Sequence, residues 1–391
     1  MQCPKQALSQ FIQIDTSKPE PKYHEAVDFL KQLCIAKFGN PIFTVREYIE
    51  GKPNLLVKIT GNTPDTILLS CHMDVVPYER EKWTVDPFSG LIDGEWIWGR
   101  GAQDMKCQGI MYIEALSHLM LRGKPEKTFL LVFTVDEEIG SAAGMKALVE
   151  NGAFEGMMIQ FAIDEGCIVD ANSVIVAKNE RYVLDLKLTV RGKAGHASIL
   201  LDDTAAVKLT RILSRIDAFR QKQRELVKTP VDNCCVLSVN VTMVHGGTQV
   251  NVIPAEFSVC VNMRIPPGHT LADVDAIIED WISADQESTT VEWLNEIKPV
   301  DPDLVQDLDP HLVSINEILR SMNIDPIQTT MPGGTDSRFL RGAGIKALNI
   351  TPVTECPSLQ HDHDERINIA GFLRGIEIFE RIFEAYSQID V

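Results

Sequence analysis

Three stretches of the chain, TILLSC (66–71), TFLLVFTV (128–135) and MMIQFAI (157–163), are almost continuously apolar. A strand with one wet face alternates polar and apolar residues, so unbroken runs predict strands buried on both faces of a sheet that helices cover on either side. The segments between them fit that role. Ala26, Phe29, Leu30, Leu33 and Phe38 recur at helical spacing ahead of Gly39, and Ile110, Ile113, Leu116 and Met120 mark one face of a later helix. NLLVKIT (54–60) adds another strand before the turn-forming GNTPD.

From residue 182 the periodicity changes. YVLDLKLTV, CCVLSVNVTMV, AEFSVCVNMRI and TTVEWL read as half-exposed strands, with one long helical segment and LADVDAIIEDWI placed between them. That β-α-β-β-α-β order is the split βαβ arrangement of a ferredoxin-like α+β sandwich. Beyond it the earlier style returns, with a helix near 310–322, a PGGTDSR loop, the apolar IKALNITPV and a closing helix in FLRGIEIFERIFEAY. The expected fold class is therefore α/β. A discontinuous first domain, 1–181 and 296–391, is built on a mixed sheet with helices on both faces, and 182–295 is inserted into it. Two domains also suit 391 residues, which exceed what one hydrophobic core usually supports.

Charge and composition narrow the partners. A formal net charge of -18 and a pI near 4.9 repel nucleic acid and anionic membrane alike. No apolar stretch reaches the ~20 residues of a membrane span, and MQCPKQALSQF lacks the basic region and apolar core of a signal peptide, so a cytoplasmic protein is expected. Nine cysteines, an odd number with no CxxC pair, read as reduced thiols. Strand alternation points Cys71 away from its neighbour His72.

The polar residues at the ends of the apolar runs carry the chemistry. Four runs end in, or lead into, residues that bind metals: His72 with Asp74; Asp136 with Glu137 and Glu138; Asp164 with Glu165; and His361 with Asp362 and His363. Asp104 lies just ahead of a helix. One such end is commonly a loop acid or a helix cap. Four of them, in a fold class that places its sites at strand ends, point to a divalent metal centre of histidine and carboxylate, the ligand set of zinc. Spacing alone leaves Glu165 against Asp164, and His361 against His363, open. An HExxH helix, a GxSxG elbow and a phosphate loop are all missing, the last because Gly246-Gly247 and Gly333-Gly334 have no Lys-Ser/Thr after them. His24, His118, His245, His269 and His311 have no ligand partners at useful spacing and read as structural or solvent histidines.

SCHMDVVP, GRGAQDMK, VDEEIG, AIDEG, GKAGHAS, NVIPA, GGTDSRF and HDHDER occur in that order. Together they resemble the M20 family of co-catalytic zinc peptidases and deacylases. GAQDMKC, DEG and HDHDER are most similar to the branch that hydrolyses N-acyl-L-amino acids. The resemblance implies two Zn2+ per chain, with Co2+ or Mn2+ as substitutes. Asp104 would bridge them, His72 and Glu165 complete one position, and Glu138 and His361 complete the other. It implies Glu137 as general base and acid, and Asp74 as a partner of the His72 ring. His196 would polarise the scissile carbonyl with Asn251 assisting, and Arg264 and Arg338, beside Gly334, would receive a substrate carboxylate. By the same resemblance the inserted domain is a dimerisation and lid domain of a homodimer. Ser141 departs from the pattern, standing where relatives often carry a second glycine.

The expected activity is hydrolysis of the amide of N-acyl-L-amino acids to a free amino acid and a carboxylate. Another activity of the same family, a dipeptidase, a carboxypeptidase or an acetylornithine-type deacetylase, is the nearest alternative. A non-catalytic binding protein on the same fold would be expected to lack a ligand or the base, and none is missing.

Overall fold

The computed structural model describes residues 3–296 and 304–389. They form two compact units, one of 3–179, 304–328 and 335–389, the other of 180–296 and 329–334. The expected return to the first domain beyond 296 runs into 297–303, which lie outside the described residues. Residues 329–334, expected in the first domain, group with the second unit, where the Arg181 guanidinium holds the carbonyl of Pro332 at 2.8 Å and the Arg181 N–H holds that of Met331 at 3.0 Å.

An eight-stranded mixed sheet, in the first unit except for residues 180 and 329–331, runs in the order Ile42–Glu47, Pro53–Ile59, Thr128–Thr134, Asp65–His72, Met158–Asp164, Ala347–Asn349, Ser173–Glu180 and Asp325–Met331. The three apolar runs are its centre, and Asp65–His72 pairs in parallel with the strands on either side. Alternate residues feed two cores. Ile67, Leu69, Cys71, Phe129, Leu131 and Phe133 face the helices Pro4–Ile12, Tyr23–Phe38, Lys106–Leu121, Pro310–Ser321 and Ile369–Tyr386. Leu68, Leu130, Val132 and Ala162 face Met145–Glu150 and Ser337–Gly342. Each fully buried Leu or Phe contributes about 1.5–3 kcal/mol, which is why unbroken apolar runs are stable only at the middle of the sheet.

Two features differ from the sequence expectation. Helix Lys106–Leu121 is buried on nearly all sides rather than along one stripe, since Pro4–Ile12, Tyr23–Phe38 and Ile369–Tyr386 pack around it. A small sheet of Ile92–Asp93, Trp96–Trp98 and Arg366–Asn368, too short to show a period, had no sequence signal.

The second unit has four antiparallel strands in the order Ser238–Gly246, Glu256–Ile265, Tyr182–Arg191, Thr289–Glu296, with helices Ala205–Leu226 and Leu271–Ile282. Numbered along the chain, the order is 2-3-1-4, the split βαβ topology. Its core is Leu184, Leu186, Leu188 and Val190 with Val259, Val261 and Met263, packed on Leu209, Ile212, Val274 and Ile278. The strict alternation of Tyr182–Arg191 thus has one face in the core.

Candidate metal centre and active site

Parallel pairing sets three strand ends side by side. His72 lies opposite Thr134, and Leu69 opposite Ile163, so the residues after these strands emerge at one edge of the sheet. His72 is buried, with its Nε2 3.0 Å from Oδ1 of Asp104 and 3.6 Å from Oε1 of Glu165. The other Asp104 oxygen is 3.3 Å from Nε2 of His361, which is also 2.9 Å from Oε2 of Glu138. His72, Asp104 and Glu165 form one triad and Asp104, Glu138 and His361 a second, each with its ligand atoms within 4.8 Å of one another. Asp104 belongs to both.

The alternatives that spacing left open separate here. Asp164 turns to Ser337 instead, accepting its N–H at 2.8 Å and its hydroxyl at 3.0 Å. His363 pairs with Asp362 in solvent. His361 itself is not at the end of a sheet strand: Ala347–Asn349 stops well before it, and it sits on a turn, at φ 63°, ahead of Arg366–Asn368.

The electrostatics show what the cluster lacks. Burial, with the Asp104 charge close by, pushes Glu165 well above the usual carboxylate range, and burial with Glu165 does the same to Glu137. For His72 burial favours the neutral ring, yet Glu165, Asp104 and Asp74 carry it well above an ordinary histidine. Asp104 is held low against its burial by hydrogen bonds from His361 and His72, and His361 is raised to about 10 by its bonds to Asp104 and Glu138. Oε1 of Glu138 is buried without a hydrogen-bond partner. A buried group of carboxylates short of positive charge, with an orphaned acceptor and two histidine nitrogens, fits two divalent cations.

The Asp74 carboxylate does not hydrogen-bond the His72 ring. It is 3.6 Å from Nδ1 of His72, beyond a hydrogen bond, and the ring is held instead by the Asp74 backbone carbonyl at 2.9 Å. The carboxylate reaches the other way, accepting the N–H groups of Glu137 and Glu138, each at 3.1 Å. A tight turn made these two donors available: Asp136 has φ 59°, Gly140 98° and Ser141 58°. Behind the turn, Asp136 is tied to Lys18 at 2.7 Å, to the Tyr23 hydroxyl at 2.9 Å and to Lys52. Ser141 tolerates its left-handed conformation with its hydroxyl donating to Asp336, which also accepts from Thr134 at 2.7 Å. Burial, with Asp164 nearby, raises the Asp336 carboxyl to about 6. Asp136, a strand-end candidate in the sequence, is thus turned away from both triads, and sequence reasoning gave no role to Asp336 or Glu365, although each lies inside a quoted motif; acids that hold backbone N–H groups leave no periodic trace.

Arg338, at the start of helix Ser337–Gly342, places Nη2 3.8 Å from Oε1 of Glu137 and its guanidinium over the Phe339 ring. In the second unit Gly195–His196 pairs with Val252–Ile253, and the Ala197 N–H donates to the Asn251 carbonyl at 3.0 Å, so His196 and Asn251 are neighbours. His196 is exposed, its Nδ1 2.7 Å from the Ser198 hydroxyl. Arg264 lies on Glu256–Ile265 with Nε donating to Asn262 at 3.3 Å, and Gly334 belongs to the 329–334 segment.

Residues 68–385 match the model of peptidase family M20/M25/M40. Aminoacylase-1 of Sus scrofa is 35% identical over 385 residues, covering 97% of this chain and 94% of that protein. The Homo sapiens aminoacylase-1 is 34% identical over 394 residues with the same shares, and the Dictyostelium discoideum one 33% identical, covering 95% and 94%. Among solved structures, a M20 family metallo-carboxypeptidase from Sulfolobus solfataricus has a TM-score of 0.79 at 18% identity over all of both chains. A dinuclear metal binding M20 peptidase from Bacillus subtilis has a TM-score of 0.69 at 15% identity over 97% of each. Those two share the fold; on the family model and the end-to-end sequence relatives, the chain belongs to peptidase family M20/M25/M40.

Proposed function

We propose that this protein hydrolyses the acyl amide of N-acyl-L-amino acids, releasing a free L-amino acid and a carboxylate, with two zinc ions held by His72, Asp104 and Glu165 and by Asp104, Glu138 and His361. The observation that carries the reading is the pair of triads sharing Asp104 with the buried Glu137 beside them, in a chain similar throughout to the aminoacylase-1 proteins. Bound there, the zinc ions would supply Lewis acidity to the amide carbonyl and acidify the attacking water.

The protein's own groups handle the protons. Glu137 takes one from the attacking water and returns it to the departing amine nitrogen. Its burial favours the protonated carboxyl and Arg338 favours the carboxylate, so the two influences bracket a group that must pass through both forms. Asp74 fixes the turn on which Glu137 stands. In the first unit, Arg338 is a fork for the substrate carboxylate. In the second unit His196, exposed and with Asn251 next to it, is a donor of the kind that stabilises an oxyanion. The strand Ser238–Gly246, at a sheet edge with Val241, Met243 and Val244 exposed, supports a homodimer through this unit. Nine free thiols suit the reducing cytosol.

The test is a substrate panel with defined zinc loading. N-acetyl-methionine should be turned over faster, by kcat/KM, than N-acetyl-ornithine and simple dipeptides. A dipeptide preference would move the protein to a peptidase reading of the same centre.

A further inference from the structure

One buried carboxylate beside the metal triads belongs to neither of them. Glu365 is wholly inaccessible to solvent, and both its oxygens are occupied from a single stretch of chain. Oε1 accepts the N–H of Gln103 at 2.7 Å and that of Asp104 at 3.2 Å. Oε2 accepts the N–H of Gly101 at 3.0 Å and the Arg100 guanidinium at 2.8 Å. The Glu365 carbonyl takes a fifth donor, the N–H of Gly99, at 2.9 Å. These backbone donors lie in a turn before helix Lys106–Leu121, where no ladder or helix partner is available to them.

The attachment is reciprocal. The Gln103 side chain reaches back across the Glu365 loop, donating to the carbonyls of Pro357 at 2.8 Å and Arg366 at 2.7 Å and accepting the N–H of Leu359 at 2.8 Å. Two irregular segments are thereby clasped together, and each carries a metal-binding side chain: Asp104 on one, His361 on the other. His361 stands on a turn that no sheet strand positions. Arg100 offsets the Glu365 charge, so the carboxylate serves as an acceptor hub with no oxygen left for a cation.

We propose that Glu365 is a positioning residue that sets the separation of Asp104 and His361, and so the affinity of the metal position these two share with Glu138. The proposal rests on the two-metal reading above. A bridging carboxylate binds two ions well only if both of its oxygens are held in place, and the Asp104 backbone is held by Glu365. Glu365→Gln keeps the shape, but turns an amide NH2 toward N–H groups that need an acceptor.

The experiment uses the full chain, stripped and titrated with zinc in competition with a chromophoric chelator, for the natural protein, Glu365→Gln and Arg100→Lys. Glu365→Gln should weaken the weaker of the two zinc-binding steps by about 10–100-fold, the usual cost of disturbing a ligand's supporting partner. Excess zinc should restore most of its kcat, a rescue that damage to the fold alone would not allow. Arg100→Lys, which keeps the charge with fewer donors, should shift the same step in the same direction by a smaller factor. Unchanged zinc affinity in Glu365→Gln overturns the proposal. If that variant fails to fold by circular dichroism, unchanged affinity in Arg100→Lys overturns it equally. Fewer than two zinc ions on the natural chain would instead remove the two-metal reading, so the two failures are distinguishable.

Discussion

Replacing Asp74 by Asn separates two accounts of how this residue serves the centre. If its carboxylate oriented the His72 ring, the substitution would weaken metal binding. The geometry favours the other account: the ring is held by the Asp74 backbone carbonyl, which Asn keeps, while the carboxylate accepts the Glu137 and Glu138 N–H groups at 3.1 Å each. An Asn side chain has one acceptor oxygen, so at least one of the two bonds is lost and an NH2 faces an N–H. A hydrogen bond to a charged group is worth about 1.5–3 kcal/mol. If that loss falls on the position of Glu137 in the transition state, kcat drops about 10–150-fold at ~1.4 kcal/mol per decade. Zinc titration together with steady-state kinetics on N-acetyl-methionine gives the answer. Near-natural zinc affinity at the His72 position, with kcat reduced by that factor, is expected. Lost zinc with unimpaired kcat at saturating metal would refute the reasoning and return Asp74 to the histidine.

Other substitutions test neighbouring parts of the structure. Glu137→Gln should retain both zinc ions by metal analysis and lose at least ~100-fold in kcat, the lower end of what a general base contributes. At Ser141, Ala loses the bond to Asp336 and keeps the left-handed strain, whereas Gly relieves the strain; by chemical denaturation S141G should be about 1 kcal/mol more stable than S141A. Asp309 accepts from His311 and Lys346 and is held at about 2 despite its burial. A carboxyl depressed on folding stabilises the protein above its unfolded pKa near 3.9, and loses that contribution as pH falls through about 2. Asp309→Asn should therefore be less stable by at most ~2.6 kcal/mol at neutral pH, with the difference in Tm narrowing as pH is lowered below 4.

The parts of the site legible in the sequence are those that a buried parallel sheet dictates. His72, Glu137, Glu138 and Glu165 follow strands whose unbroken apolar character announces where they end, and the alternating strands of 182–295 announce a sheet with one covered face. What stayed hidden depends on hydrogen bonds between side chains and backbone. Asp74 looked like a partner for His72 because the two are close in sequence, but the turn at Asp136 offered its carboxylate two N–H groups. His361 was expected to follow a strand and instead stands on a turn clasped through Glu365 and Gln103. Helix Pro4–Ile12 was missed because it is short, and its apolar residues carry meaning only once Lys106 is seen donating to the carbonyls of Phe11 and Ile14 near its end.

The two triads differ in one respect that bears on the life of the protein after it is loaded. His72, Asp104 and Glu165 are buried, whereas the His361 side chain is 56% exposed. If each triad holds an ion as proposed above, the one beside exposed His361 is the more open to water and chelators, so the two ions should leave at different rates, that one first. A chain meeting metal scarcity would first pass into a long-lived half-loaded form, with His361 and Glu138 vacated and the buried ion retained. Recovery then needs one ion at an open door rather than the rebuilding of a dinuclear site. On the two-metal reading proposed above, activity would follow metal supply through that outer ion, while the inner one went on offsetting the mutual repulsion of the buried carboxylates.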